Sequence, residues 1–157
     1  MLGSETKRLK LVGFIVVLLL LAAGAALAFN FPGFGGKEKV TAINGAVSIQ
    51  VAQAGDGKAR FYTFADGGKE IAFFVVKGTD GAFHVAFDAC DACYREKKGY
   101  SQDGSVMVCG NCNMKFAINR IGKDNHGGCN PGHLEFALSG NSIVIKVADL
   151  RTGSRFF

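Results

Sequence analysis

The stretch "FDACDACYREKKGYSQDGSVMVCGNC" (87–112) sets two Cys-x-x-Cys pairs in one chain, and its reading decides the rest. Cys90 and Cys93 form the first pair, and Cys109 and Cys112 follow after 15 intervening residues. A Cys-x-x-Cys turn lets two thiolates reach one metal while backbone N–H groups point at the sulfurs, and two such turns complete a tetrahedral all-sulfur shell. The glycines suit that role, with Gly99 and Gly104 in the intervening segment and Gly110 inside the second pair. Disulfide bonding or dithiol–disulfide oxidoreductase chemistry is the rival, but five cysteines is an odd number for a disulfide framework. Neither pair opens an evident helix, the setting thioredoxin-like chemistry prefers. Tyr94 and Asn113 follow the two pairs, so the Cys-x-x-Cys-His of c-type haem attachment is absent.

Outward from the cysteines the sequence reads as strands and turns. "EIAFFVVK" (70–77) is a short apolar run and "GTDG" (78–81) a turn. "AFHVAFDA" (82–89) then alternates, with His84 opposite Phe83, Val85 and Phe87. "ARFYTFA" (59–65) and the hairpin signal "DGGK" (66–69) precede them, and "VTAINGAVSIQVAQ" (40–53) carries strand residues around a central Asn-Gly. "HLEFAL" (133–138), "SGNS" (139–142) and "IVIKVADL" (143–150) predict a last hairpin. These turn signals predict a mostly β, antiparallel domain, a sandwich or small barrel, with the cysteine region inserted before the final hairpin.

The first 29 residues are of another kind. "MLGSETKRLK" (1–10) carries Lys7, Arg8 and Lys10, and "LVGFIVVLLLLAAGAALAF" (11–29) has no charge. As a helix that run spans about 28 Å, enough for a bilayer core. Its basic flank places the bulk of the chain outside the cytoplasm. Both a retained single-pass anchor and a cleaved signal fit, because Ala26–Ala28 offers a small-x-small site. The expected organisation is an anchor or signal (1–29), a flexible stalk "NFPGFGGKEK" (30–39) and an extracytoplasmic β domain (40–157). Beyond residue 29 lie 15 Lys+Arg and 12 Asp+Glu with no long basic run, so nucleic acid is not an expected partner. "GFGG" (33–36) lacks the lysine and helix of a phosphate loop, and no nucleophile–base pair stands out. The chain reads as a redox carrier rather than a catalyst with its own substrate.

The candidate ligands are Cys90, Cys93, Cys109 and Cys112. Cys129 in "NHGGCNPGH" (125–133) is a fifth sulfur beside the centre, a replacement for one of the four ligands, part of a second site with the weaker candidates His126 and His133, or a small buried residue. An iron–sulfur cluster, zinc and copper all accept thiolates, and spacing alone does not separate them. Arg95, Lys97 and Lys98 offer a cationic face for an acidic partner, or form a solvated loop. Asp88 and Asp91 oppose that charge or receive iron, and Tyr100, Ser101 and Gln102 are potential donors to sulfur.

The order of elements in "VVKGTDGAFHVAFDACDAC" (75–93), "GSVMVCGNCNMKFAINRIG" (104–122) and "NPGHLEFALSGNSIVIKV" (130–147) resembles the Rieske ferredoxin fold. That resemblance implies two cluster-binding loops capping an antiparallel base. Cysteine replaces the second-position histidine of each loop, which implies all-thiolate ligation and a lower potential. "FDACDACYREKKGYSQDG" (87–104), "VCGNC" (108–112) and "GGCNPGHL" (127–134) are similar to the FtrD-like family of bacterial membrane iron–sulfur proteins. The similarity implies a membrane-anchored electron-transfer protein with a redox partner, associated with an iron permease.

Overall fold

The computed structural model describes residues 36–125 and 127–157. The proposed anchor, residues 30–35 of the stalk and His126 lie outside the described residues. Among the described residues no helix is long and apolar enough to cross a membrane. Lys37–Phe157 forms one compact unit.

The longest strand, β4 (Lys69–Lys77), is buried from Ile71 to Val76, as expected where both faces of a strand are covered. It pairs antiparallel with β3 (Arg60–Asp66) and with β5 (Phe83–Phe87). The short β1 (Glu38–Val40) adds to β3 in parallel, an exception to the all-antiparallel expectation. Asn44 and Gly45 explain it. Both have positive φ (52° and 79°), so the chain reverses there rather than running on as one strand. It enters β2 (Ala46–Gln50) in a different sheet and returns to β3 only after the short helix α1 (Val51–Ala54), the kind of crossover a parallel pair needs.

A second sheet joins β2, β10 (Ser142–Lys146) and β9 (Ala137–Ser139), followed by α2 (Val147–Thr152). A third contains β6 (Tyr100–Asp103), β7 (Val106–Cys109) and β8 (Lys115–Ala117). Among the described residues all three sheets are open and mostly antiparallel, and none closes into a barrel. The final hairpin is shorter than "HLEFAL" suggested, because Leu134 turns into the core and β9 begins only at Ala137.

Alternation along β4 divides the interior. Ile71, Phe73 and Val75 join Val47, Ile49, Ile143, Ile145 and Leu150 in a core under the second sheet. Phe74 and Val76 face the opposite way, to Met107, Ile118, Ile121, Tyr100, Cys90 and Cys109 under the third. The middle sheet thus carries a core on each face, and Cys90 and Cys109 belong to the second, with Cys93 and Cys129 packed against it.

Candidate metal centre

Cys90 and Cys93 follow the end of β5, Cys109 ends β7, and Cys112 lies in the turn to β8. The two turns close alike. The Tyr94 N–H donates to the Cys90 carbonyl at 3.1 Å, and the Asn113 N–H donates to the Cys109 carbonyl at 3.0 Å. The Cys93 N–H also donates to Cys90 Sγ at 3.3 Å, the backbone-to-sulfur contact expected of a thiolate-binding turn.

Two groups of sulfurs result, Cys90, Cys93 and Cys129 in one and Cys93, Cys109 and Cys112 in the other. Within each group the Sγ atoms lie within 4.8 Å of one another, and Cys93 belongs to both. Cys93 and Cys129 approach to 3.7 Å. None of the five is in a disulfide. Cys90 and Cys109 are 1% exposed, Cys93 and Cys129 are half-buried, and Cys112 is at the surface. The arrangement is therefore a sulfur cluster with a dry floor and one open edge.

Cys129 reaches it on a third loop that is tied to the first turn and to β6. The Tyr100 hydroxyl donates to the Cys129 carbonyl at 2.6 Å, and the Ala92 N–H donates to the Gly128 carbonyl at 3.0 Å. The Gly132 N–H donates to the Ala89 carbonyl at 2.9 Å. The second turn needs glycine at 110 for close approach. A Cβ there would sit 2.8 Å from the Lys98 carbonyl oxygen, and the Gly110 N–H already donates to the Gly99 carbonyl at 2.8 Å.

Two contributors were not legible in the sequence. Asn111 Nδ2 donates to Cys93 Sγ at 3.5 Å, while its Oδ1 accepts from Lys98 Nζ at 3.2 Å. Its position inside the second Cys-x-x-Cys was the available signal. Lys37 had none, since its partner Asp88 is remote in sequence. The Lys37 ammonium lies 2.7 Å from Asp88 Oδ2, and the Tyr100 N–H donates to Asp88 Oδ1 at 2.6 Å. Burial pushes the Asp88 carboxyl up, against the pull of Lys37 and the Tyr100 N–H. Both of its oxygens are engaged, so Asp88 braces the segment between the cysteine turns. Asp91 is at the surface, accepting from Arg155 at 2.7 Å.

Of the expected sulfur donors, Gln102 instead ties the third sheet to the 57–59 turn, accepting from the Ala59 N–H at 2.7 Å and donating to the Gly57 carbonyl at 2.8 Å. Tyr100 is buried beside Cys90, and burial, then that sulfur, holds its phenol far above the ordinary range. Burial also raises the Cys90 thiol, and the Cys129 thiol is raised by its hydrogen bond with Cys112, then by burial. A metal binding here therefore displaces protons from reluctant acids. Lys97 and Lys98, with Lys37, line a cavity of about 160 Å³ onto which Cys90, Cys93 and Cys109 also face. Arg95 instead turns to the Tyr94 ring and hydroxyl. His133 is in neither sulfur group. Its ring nitrogens are buried without a hydrogen bond, although Nε2 lies 3.3 Å from Glu135. His84 is in neither sulfur group; from β5 its Nδ1 meets the Ile121 carbonyl at 2.8 Å.

No curated protein and no solved structure gives a significant match to the chain. A family model described as membrane iron-sulfur containing protein FtrD-like matches residues 54–157, a span that holds all five cysteines. The sulfur groups are a fitting site for iron–sulfur or metal binding, and the match covers well over half of the chain. This protein belongs to the FtrD-like family of membrane iron–sulfur proteins.

Proposed function

We propose that the protein is a membrane-anchored, extracytoplasmic iron–sulfur electron-transfer protein that serves iron uptake or iron redox chemistry. The observation that supports it most is the meeting of sulfurs from both Cys-x-x-Cys turns around Cys93. The donor set fits an iron–sulfur cluster: it is all thiol, it has a buried floor, and a cavity of about 160 Å³ opens beside it. Cys90, Cys93, Cys109 and Cys112 would hold the cluster, with Cys129 as a fifth sulfur against Cys93. When bound, such a cluster supplies one-electron exchange by outer-sphere transfer.

The chain's own residues set the terms of that exchange. The Cys93 N–H and the Asn111 amide disperse charge on Cys90 and Cys93, which favours the reduced form. The second core excludes water from Cys90 and Cys109, while exposed Cys112 gives a short path to the surface. Lys97 and Lys98 present positive charge to an acidic redox partner, of which an iron permease component is one. The apolar run 11–29 supplies the anchor, and the order of turns and strands in the sequence resembles a Rieske-like subdomain with cysteine in place of histidine.

A second reading, a copper or zinc module, is favoured by one feature. The two sulfur groups each offer three thiolates and share Cys93, and three thiolates suit Cu(I). Purification without oxygen followed by iron, acid-labile sulfide, copper and zinc analysis separates the readings. The iron–sulfur reading expects iron and sulfide in equal amounts, visible absorption bleached by dithionite, and a paramagnetic signal on reduction. Colourless protein with stoichiometric zinc or copper overturns it, as does metal-free protein that reduces a test disulfide.

A further inference from the structure

A side-chain contact joins the two Cys-x-x-Cys turns. Asn111 sits inside the second turn, yet its Nδ2 donates to Cys93 Sγ of the first turn at 3.5 Å. Cys93 is the sulfur that both groups share, so this donor is aimed at the middle of the centre. At its other end Asn111 Oδ1 accepts from Lys98 Nζ at 3.2 Å.

The chemistry of an ammonium settles which way the amide points. Lys98 can only donate, so it holds the carbonyl end of Asn111 and leaves the NH₂ end for the sulfur. Without that ammonium the amide is free to turn its oxygen, a poor neighbour for a thiolate, toward Cys93. The backbone keeps the two residues within reach. The Gly110 N–H donates to the Gly99 carbonyl at 2.8 Å, and Lys98 lies between Lys97 and Gly99, whose φ values of 54° and 59° turn the chain there. Lys97 is the natural comparison. It carries the same charge and lines the same cavity, but its Nζ donates to the Phe156 carbonyl at 3.1 Å.

We infer that Lys98 is a positioning residue for the sulfur centre. It aims Asn111 Nδ2 at Cys93 and so raises the potential of the iron–sulfur cluster, an inference that rests on the cluster reading. An N–H···S bond draws charge from the sulfur, and this favours the reduced state, in which the sulfur is more negative. Lys98 acts through the amide rather than through its bare charge. Both side chains are exposed, so salt screens the direct field of the ammonium, while a bonded and oriented amide keeps its effect.

The test uses the full-length protein in detergent, purified without oxygen, and reads the midpoint potential by dithionite titration with mediators. Lys98→Met keeps the length of the side chain and removes its donor. It should lower the reduction equilibrium about threefold to tenfold, a drop of roughly 30–60 mV at 59 mV per tenfold. Asn111→Ala should do the same, and the double variant should fall no further than Asn111→Ala alone. Lys98→Arg should stay near the wild-type value, and Lys97→Met should move the equilibrium by less than about twofold. The Lys98→Met drop should persist in about 1 M salt, where the Debye length is about 3 Å. Both substituted residues are at the surface, so the variants are expected to fold.

A second readout needs no cluster. In metal-free protein the Asn111 side-chain amide cross-peak in nitrogen–proton correlation spectra should move in Lys98→Met and stay in place in Lys97→Met. Equal potential drops in Lys97→Met and Lys98→Met overturn the inference, as do additive drops in the double variant. Protein without iron and sulfide overturns the cluster reading instead. The cross-peak then decides alone: moved, Lys98 still aims the amide at Cys93; unmoved, it does not.

Discussion

Phe73 and Phe74 are adjacent in β4, both fully buried, and face different cores. Phe73 stacks on Tyr62 with ring centroids 5.4 Å apart, while Phe74 packs against Phe61 at 5.8 Å and Tyr100 at 6.1 Å. Replacing either by leucine loses about 1 kcal/mol of packing in a filled interior. Each aromatic pair given up adds about 0.5–1.5 kcal/mol. Phe73→Leu, which gives up one pair, should therefore lose about 1.5–2.5 kcal/mol and Phe74→Leu, which gives up two, about 2–4 kcal/mol, falls in Tm of roughly 6–10 °C and 8–16 °C for a unit of this size. They should differ at the cysteines. Only Phe74→Leu loosens the layer holding Cys90 and Cys109, so alkylation of these two buried thiols in metal-free protein should quicken at least tenfold, about 1.4 kcal/mol of local opening. Phe73→Leu should change that rate by less than about threefold. The readout is the alkylation rate of each cysteine by mass spectrometry under native conditions. Equal acceleration in the two variants refutes the reasoning, since it would mean that the thiols open only when the whole domain unfolds.

Other consequences are simpler to state. Gly110→Ala puts a Cβ 2.8 Å from the Lys98 carbonyl, so about 1–3 kcal/mol of stability and much of the metal content should be lost together, read by melting and metal analysis. Asp66 is paired with both Nε and Nη2 of Arg151, at 3.0 and 2.9 Å, and this holds its carboxyl below the ordinary 3.8. Its contribution is present above pH 3.8 and lost as pH falls through the lower folded value, so Asp66→Asn should destabilise at pH 7 and become neutral in strong acid, by melts across pH. Removing metal with a chelator should raise hydrogen exchange in β6–β8 while leaving β3 and β4 protected, and uniform deprotection would contradict the two-core division.

What the sequence disclosed follows the range of the interactions. The Asp66–Lys69 hairpin, the apolar run of β4 and the closing of each Cys-x-x-Cys turn depend on neighbours in the chain, and they read correctly. The split of 40–53 into strands of two sheets also has a local cause, Asn44–Gly45, but the parallel pairing of β1 with β3 does not. Leu134 looked like a strand residue because alternation cannot show that a loop dips into a core. At the site, the two pairs of cysteines were legible from spacing. The fifth was only suspected, because its position depends on the Tyr100 hydroxyl 29 residues earlier. His84 Nδ1 meets a carbonyl 37 residues away, a contact that no local pattern encodes.

The uneven burial of the five sulfurs bears on how the centre would work. Cys90 and Cys109 are core residues, packed with Met107, Ile118 and Ile121, so their positions are fixed by the same contacts that hold the third sheet to the middle one. Anything they bind is linked to that sheet's stability, because a group that binds only the folded state stabilises it in proportion to its affinity. Cys112 lies on the opposite side of the balance. It is exposed, followed by Asn113 with a φ of 59° and by the exposed Met114, and nothing in the core constrains it. A centre held by both kinds of cysteine is anchored at one side and accessible at the other. For a carrier that geometry is useful: the buried sulfurs limit reorganisation when the charge changes, and the exposed edge lets a partner approach.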